Sequence, residues 1–245
     1  MSEDVRIYYQ DDDLLVVEKP ENVVVHENRY HGRQDSCAGL LEAKIGGTLY
    51  PVHRLDAATG GVLLFARHAN AARHLSLQFR TNSVEKRYLA LVRGHTPDSG
   101  RIDEPVKPPG KLAPVPAVTE FTRLASSTLA RPLGKYEQAW FSCLELHLVT
   151  GRTGQARRHL QHISHPILGD KRHGDRAYNE FVASRTGRKS LYLRAASLRV
   201  LHPAGHSYLC VETSLPDWWR YTLSLLALEN VIPVLPQERV TFSTL

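Results

Sequence analysis

Cysteine is scarce in this 245-residue chain: three residues, at positions 37, 143 and 210, odd in number and far apart. They build neither a disulfide framework nor a zinc-binding spacing, which fits a reducing compartment. No apolar run approaches the roughly 18 residues of a membrane span, and the opening MSEDVRIYYQDDD lacks an apolar signal core, so a cytoplasmic protein is expected. The chain has no glycine-rich phosphate cradle, no Ser-His-Asp signature, no internal repeat and no low-complexity tract. His159, His162 and His165 recur every third residue. Pro166 should end any helix before His165 joins the other two, so no metal is expected there.

Positive charge is what remains. Lysine and arginine total 31 against 25 aspartates and glutamates, a formal net charge of +6 with the 13 histidines neutral. That balance favours a polyanionic partner, nucleic acid first. Strand-like patterns occupy residues 14–20, 23–26, both arms of 51–66, 83–94, 118–125, 139–149, 191–202 and 207–213. Helical patterns occupy 35–45, opened by Asp35 or Ser36, and AARHLSLQFRT, capped by Asn70 with Ala72, Leu75 and Phe79 on its apolar stripe. TGQARRHLQHI and residues 217–228 complete the helices. Strands outnumber helices and many are hairpin-linked, which predicts the α+β class with a mixed, mostly antiparallel sheet. Six of the fourteen prolines fall within 97–116, so about 95–118 is expected to be an extended excursion from a single domain spanning 1–245.

Three stretches can carry chemistry. In PVHRLDAATGG, residues 51–61, an extended backbone over 52–56 would put Arg54 and Asp56 on one face, before a tight turn. A neighbouring cation helps keep a partly desolvated carboxylate ionised, as a nucleophile or base must be. A solvated Arg–Asp pair beside a turn would leave the same trace. In SVEKRYLALVRG, residues 83–94, Tyr88 shares a face with Ala90 and Val92, where its ring could stack on a nucleobase or simply fill the core. In residues 149–175, Arg152, Arg157, Arg158, Lys171 and Arg172, with Arg176 just beyond, outnumber Asp170 and Asp175. The first amides of the helix after Thr150-Gly151-Arg152-Thr153 could take a phosphate.

Together these segments resemble the RluA family of RNA pseudouridine synthases. DDDLLVVEKPENVVVH, PVHRLDAATGGVLLFAR, VEKRYLALVRG and VTGRTGQARRHLQHISHPILGD carry the resemblance in that order. DKRHGDRAYNEF, residues 170–181, looks most like the branch that modifies a uridine in the T-stem of tRNA. The resemblance implies a pseudouridine synthase fold with a central basic cleft, no metal or organic cofactor, no separate RNA-binding domain and an RNA substrate, tRNA before ribosomal RNA. By position, Asp56 becomes the catalytic aspartate and Arg54 the arginine that helps displace the target base. Tyr88 becomes the tyrosine that packs on the flipped base, and Arg157 the arginine that pairs with the aspartate. His53, Arg152, Arg158, Lys171 and Arg172 are expected to contact RNA. The chain departs from the family at Gly154, where histidine is usual, at Ala156, where a larger aliphatic is usual, and at Gly60 and Asn22, which replace a common serine and glycine. Two rivals remain: a non-catalytic RNA-binding protein with this fold, and an RNA or nucleoside glycosidase.

Overall fold

The computed structural model describes residues 5–27, 30–110 and 112–244. Its elements run β1 Ile7–Gln10, β2 Leu14–Lys19, α1 Cys37–Ile45, β3 Tyr50–Pro51, β4 Gly60–Ala66, α2 Ala69–Arg80, β5 Glu85–Arg93 and β6 Ser99–Asp103. They continue with β7 Val118–Leu129, β8 Ala139–Leu148, α3 Gln155–His162, α4 Arg176–Thr186, β9 Leu193–Leu201, β10 Ser207–Glu212, α5 Asp217–Leu225 and β11 Arg239–Thr244. The fold is α+β, with a mixed, mostly antiparallel sheet and several helices. No helix among the described residues is long and apolar enough to cross a membrane. The chain divides into two units, one made of residues up to Lys86, Ala195–Thr213 and from Gln237 onward, the other of Arg87–Arg194 and Ser214–Pro236.

In the first unit β2 pairs antiparallel with β4, from Leu14 opposite Ala66 to Lys19 opposite Gly61. Both strands are near-continuous apolar runs, as strands covered on both faces must be. Leu14 and Val16, with Val62, Leu64 and Ala66, pack against Ala71 and Leu75 of α2 and against Leu198, Val200, Leu209 and Val211. Gly61 is required where it stands. Its φ is +112°, and a Cβ there would lie 2.1 Å from the Ala195 carbonyl oxygen. Ser36 caps α1 by accepting the Gly39 N–H. The cap of α2 is His68 rather than Asn70: its Nδ1 accepts the Ala71 N–H, so the helix starts earlier than its apolar stripe suggests. Residues 23–26 form no strand. Val24 makes only an isolated bridge to Ser36.

In the second unit β5, β8, β7 and β6 lie side by side as antiparallel neighbours. The proline-rich stretch is thus partly sheet: Ser99–Asp103 form the outer strand β6, and Ile102 within it is buried. Helix α3 follows Gly154, whose φ of +65° is easy for glycine and strained for the histidine usual in the family. Asp175 caps α4 by accepting the Tyr178 N–H.

Candidate active site

Asp56 sits on a turn, not on a strand. Residues 52–59 carry no ladder pairing; β3 stops at Pro51 and β4 starts at Gly60. The Thr59 N–H closes a turn on the Asp56 carbonyl at 3.0 Å, just past the stretch 52–56. Arg54 is exposed, Leu55 buried and Asp56 half-buried, so Leu55 anchors the loop between the two charged residues.

Two contacts tie this turn to the end of β2. The Ala57 carbonyl accepts the Asn22 N–H at 2.7 Å and the Lys19 ammonium at 3.0 Å. Lys19 is fully buried and also donates to the Pro20 and Val23 carbonyls, both at 2.7 Å. Burial lowers its pKa to about 8, against the opposing charges of Glu21, Asp56 and Glu18 nearby. Asn22 has φ of +64°, a left-handed conformation that asparagine tolerates better than most residues, so it substitutes for glycine at modest cost. Sequence reasoning does not single out Lys19. Its one signal is a lysine ending an otherwise apolar strand, just before a proline.

His53 looks inward. Its Nε2 accepts the Leu64 N–H at 3.0 Å, and its ring stacks on Phe79 with centroids 4.5 Å apart. Burial, aided by the charge of Lys86, holds its pKa down to about 3, so the ring is neutral. A neutral imidazole with one nitrogen engaged brings no positive charge to a phosphate.

In the second unit Tyr88 stands on β5 opposite Leu146 of β8 and is 7% exposed. Arg157, on the first turn of α3, grips Asp170 in a bidentate pair: Nε donates to Oδ2 at 2.6 Å and Nη2 to Oδ1 at 2.8 Å. Asp170 Oδ1 also accepts the N–H groups of Arg172 and His173 at 2.9 and 3.0 Å. Burial alone would push the Asp170 carboxyl up, but the bonds from Arg157, Arg172 and His173 outweigh it and leave the pKa below its ordinary value. In the sequence Asp170 looks like one counter-charge among six cations, with nothing to mark it as the partner of Arg157.

The remaining basic residues group around α3. Arg152 Nε donates to the Pro116 carbonyl at 3.2 Å, and Arg158 Nη1 donates to the Lys107 carbonyl. Lys171 and Arg172 lie on the turn after Asp170, Lys171 exposed. The three histidines diverge. His159 uses both ring nitrogens, on Thr119 Oγ1 and the Glu104 carbonyl, while His165 meets the Arg93 carbonyl. Burial pushes the Cys37 and Cys143 thiols up to about 12, which removes them as thiolate nucleophiles.

Residues 13–162 match the RNA pseudouridylate synthase family. The chain belongs to that family. It is an enzyme, an RNA pseudouridine synthase. The matched region holds Arg54, Asp56, Tyr88 and Arg157 and stops before Asp170 and Lys171. Proteins named tRNA pseudouridine synthase C from Salmonella typhimurium and Yersinia pestis are 35% and 36% identical to it. Those alignments cover 98% and 97% of this chain and 95% and 96% of the relatives. Among solved structures, human RNA pseudouridylate synthase domain containing 1 superposes with a TM-score of 0.68 at 26% identity, covering 97% of this chain and 90% of that one. Human RNA pseudouridylate synthase domain containing 4 superposes with a TM-score of 0.70 at 26% identity, covering 91% of this chain and 93% of that one.

Proposed function

We propose that this pseudouridine synthase acts in the cytoplasm on a uridine of tRNA, with Asp56 as its catalytic carboxylate. The observation that carries the reading is the Asp56 turn, fastened to β2 by Lys19 and Asn22 inside the family-matched region. A carboxylate held on a fixed backbone meets the positional demand of covalent or acid–base work on a single ring. The names of the bacterial relatives favour tRNA over ribosomal RNA.

In the reaction the N1–C1′ bond of uridine breaks, the uracil rotates, a C5–C1′ bond forms and the C5 proton is lost. Attack by Asp56 on the uracil ring, attack on C1′ and removal of the C2′ proton each suit one carboxylate. A uridine inside a stem must leave its stack first, by base flipping. Arg54, exposed on the same loop, assists that displacement. Tyr88 packs on the displaced base, and Arg157, held in its rotamer by Asp170, supplies positive charge to the reaction centre. Arg152, Arg158, Lys171 and Arg172 contact the RNA backbone.

Incubation with uridine-labelled tRNA, followed by nucleoside analysis, tests the reading. Pseudouridine at one tRNA site supports it. Free uracil would indicate a glycosidase, and unchanged uridine a binding protein. Modification of ribosomal RNA alone would overturn the tRNA assignment.

A further inference from the structure

The second unit carries a cavity away from any residue assigned above except Lys171. It has a volume of about 200 Å³ and lies between α4 and the segment 188–192. A water occupies about 30 Å³ in the liquid, so the cavity takes a ring-sized group. Val182 and Tyr192, each only about 1% exposed, lie beneath its floor, Ala183 lines its wall, and the side chains of Lys171, Arg188 and Lys189 stand exposed around it. Neither Lys171 nor Lys189 has a hydrogen bond or ion pair from its side chain among the described residues. The acid at the cavity, Glu180, has Oε1 on Arg176 Nε at 2.7 Å, which offsets its charge. Arg188 lies over the Trp218 ring at 4.7 Å, and this contact fixes one side of the segment.

An apolar hollow flanked by two unpaired lysines fits a flat, weakly polar ring joined to an anion. We infer that this cavity receives one unstacked nucleotide of the RNA substrate, distinct from the uridine that reacts: its base enters the hollow against Ala183, and its backbone phosphate meets Lys171 and Lys189. The inference rests on the RNA substrate proposed above and extends recognition beyond the reaction centre. A base that enters an apolar hollow sheds water without base-specific hydrogen bonds, as in other single-strand sites. The site therefore selects for an unpaired nucleotide, not for its identity.

The experiment measures RNA binding and turnover side by side in wild type, Ala183→Phe and Lys189→Gln, with the tRNA modified by the wild type or, if none is modified, total tRNA. Filling the cavity in Ala183→Phe should raise Kd and KM about tenfold with kcat held, the pattern of a contact made equally in ground and transition states. Lys189→Gln should weaken binding and flatten its salt dependence by about 0.7 log units, one single-strand phosphate contact. Lys189 is exposed, so this second variant keeps the test decisive if Ala183→Phe fails to fold. Wild-type Kd and salt slope in Lys189→Gln, or wild-type Kd in a folded Ala183→Phe, overturn the inference. Failure of the wild type to make pseudouridine would defeat the proposed function instead, and the Kd comparison would still judge the cavity.

Discussion

Asp170→Ala should be costly far beyond the removal of one side chain. The carboxylate is buried, receives two hydrogen bonds from Arg157 and accepts two backbone N–H groups. Removing one partner of a buried ion pair costs about 3–5 kcal/mol, because the other charge stays where water cannot reach it. Arg157 keeps 20% of its side chain exposed and regains some hydration, which places its share near the lower bound of about 3 kcal/mol. The N–H groups of Arg172 and His173, stripped of their acceptor, add about 1 kcal/mol each, for a total near 5 kcal/mol. Asp170→Asn retains one acceptor oxygen for those N–H groups but loses the charge, and should cost about 2 kcal/mol. Both variants remove the paired bonds by which Asp170 orients Arg157, so kcat should fall by about tenfold or more even in protein that remains folded. The pH dependence has a fixed sign. Asp170 has its folded pKa below the ordinary 3.8, so its stabilisation is present above that value and disappears as pH falls through the depressed one. Denaturant midpoints at pH 7 and in acid, with turnover on labelled tRNA, test this. A wild-type midpoint and kcat in Asp170→Asn at pH 7 would refute it.

Asp56→Asn should abolish isomerisation while RNA affinity stays within about threefold, under 1 kcal/mol; turnover by this variant, after mass analysis excludes deamidation, would sink the catalytic assignment. Lys19 falls from 10.5 in the unfolded chain to about 8 in the fold. The unfolded state therefore binds more protons between those values, and stability should rise by about 3 kcal/mol as pH climbs through that window. Urea midpoints at pH 7.5 and 10 should show that rise in wild type and a smaller one in Lys19→Met; equal slopes in the two proteins would count against it. Neutralising Arg158 and Arg172 together should weaken tRNA binding and flatten its salt dependence by about 0.7–0.9 log units for each phosphate no longer neutralised. Unchanged affinity and slope would return both residues to a solvated surface role.

The parts of the fold that are legible in the sequence are those where period and burial agree. The apolar runs of β2 and β4 and the alternation opening β5 show in the residues that end up buried, whereas of the expected α2 stripe only Leu75 is fully buried and Ala72 and Phe79 are partly covered. Helix α4 is hidden because the charges of DKRHGDRAYNEF suggest RNA contacts, while Tyr178, Phe181 and Val182 form its buried face. Strand β11 is hidden for the opposite reason: its residues are mostly exposed, and the backbone ladder to β10 leaves little apolar pattern to read.

The candidate site divides along the same physical line. Charged residues such as Arg54 and Asp56 are conspicuous in a sequence because they stand among apolar neighbours beside a glycine turn. Groups that hold them are not, because their partners lie far along the chain. Lys19 acts on the Asp56 turn through the carbonyl of Ala57, 38 residues away, and Asp170 acts on Arg157 from 13 residues beyond. Neither contact has a spacing that a helix or a strand would repeat, so no periodicity announces it. Each costs the desolvation of a charge, and each returns a fixed orientation for the group it holds. That exchange makes Lys19 and Asp170 better targets than further surface arginines for separating the placement of the reacting groups from the grip on RNA. Changes at the two buried residues should act first on kcat and stability, whereas changes at the exposed cations should act first on KM and salt slope.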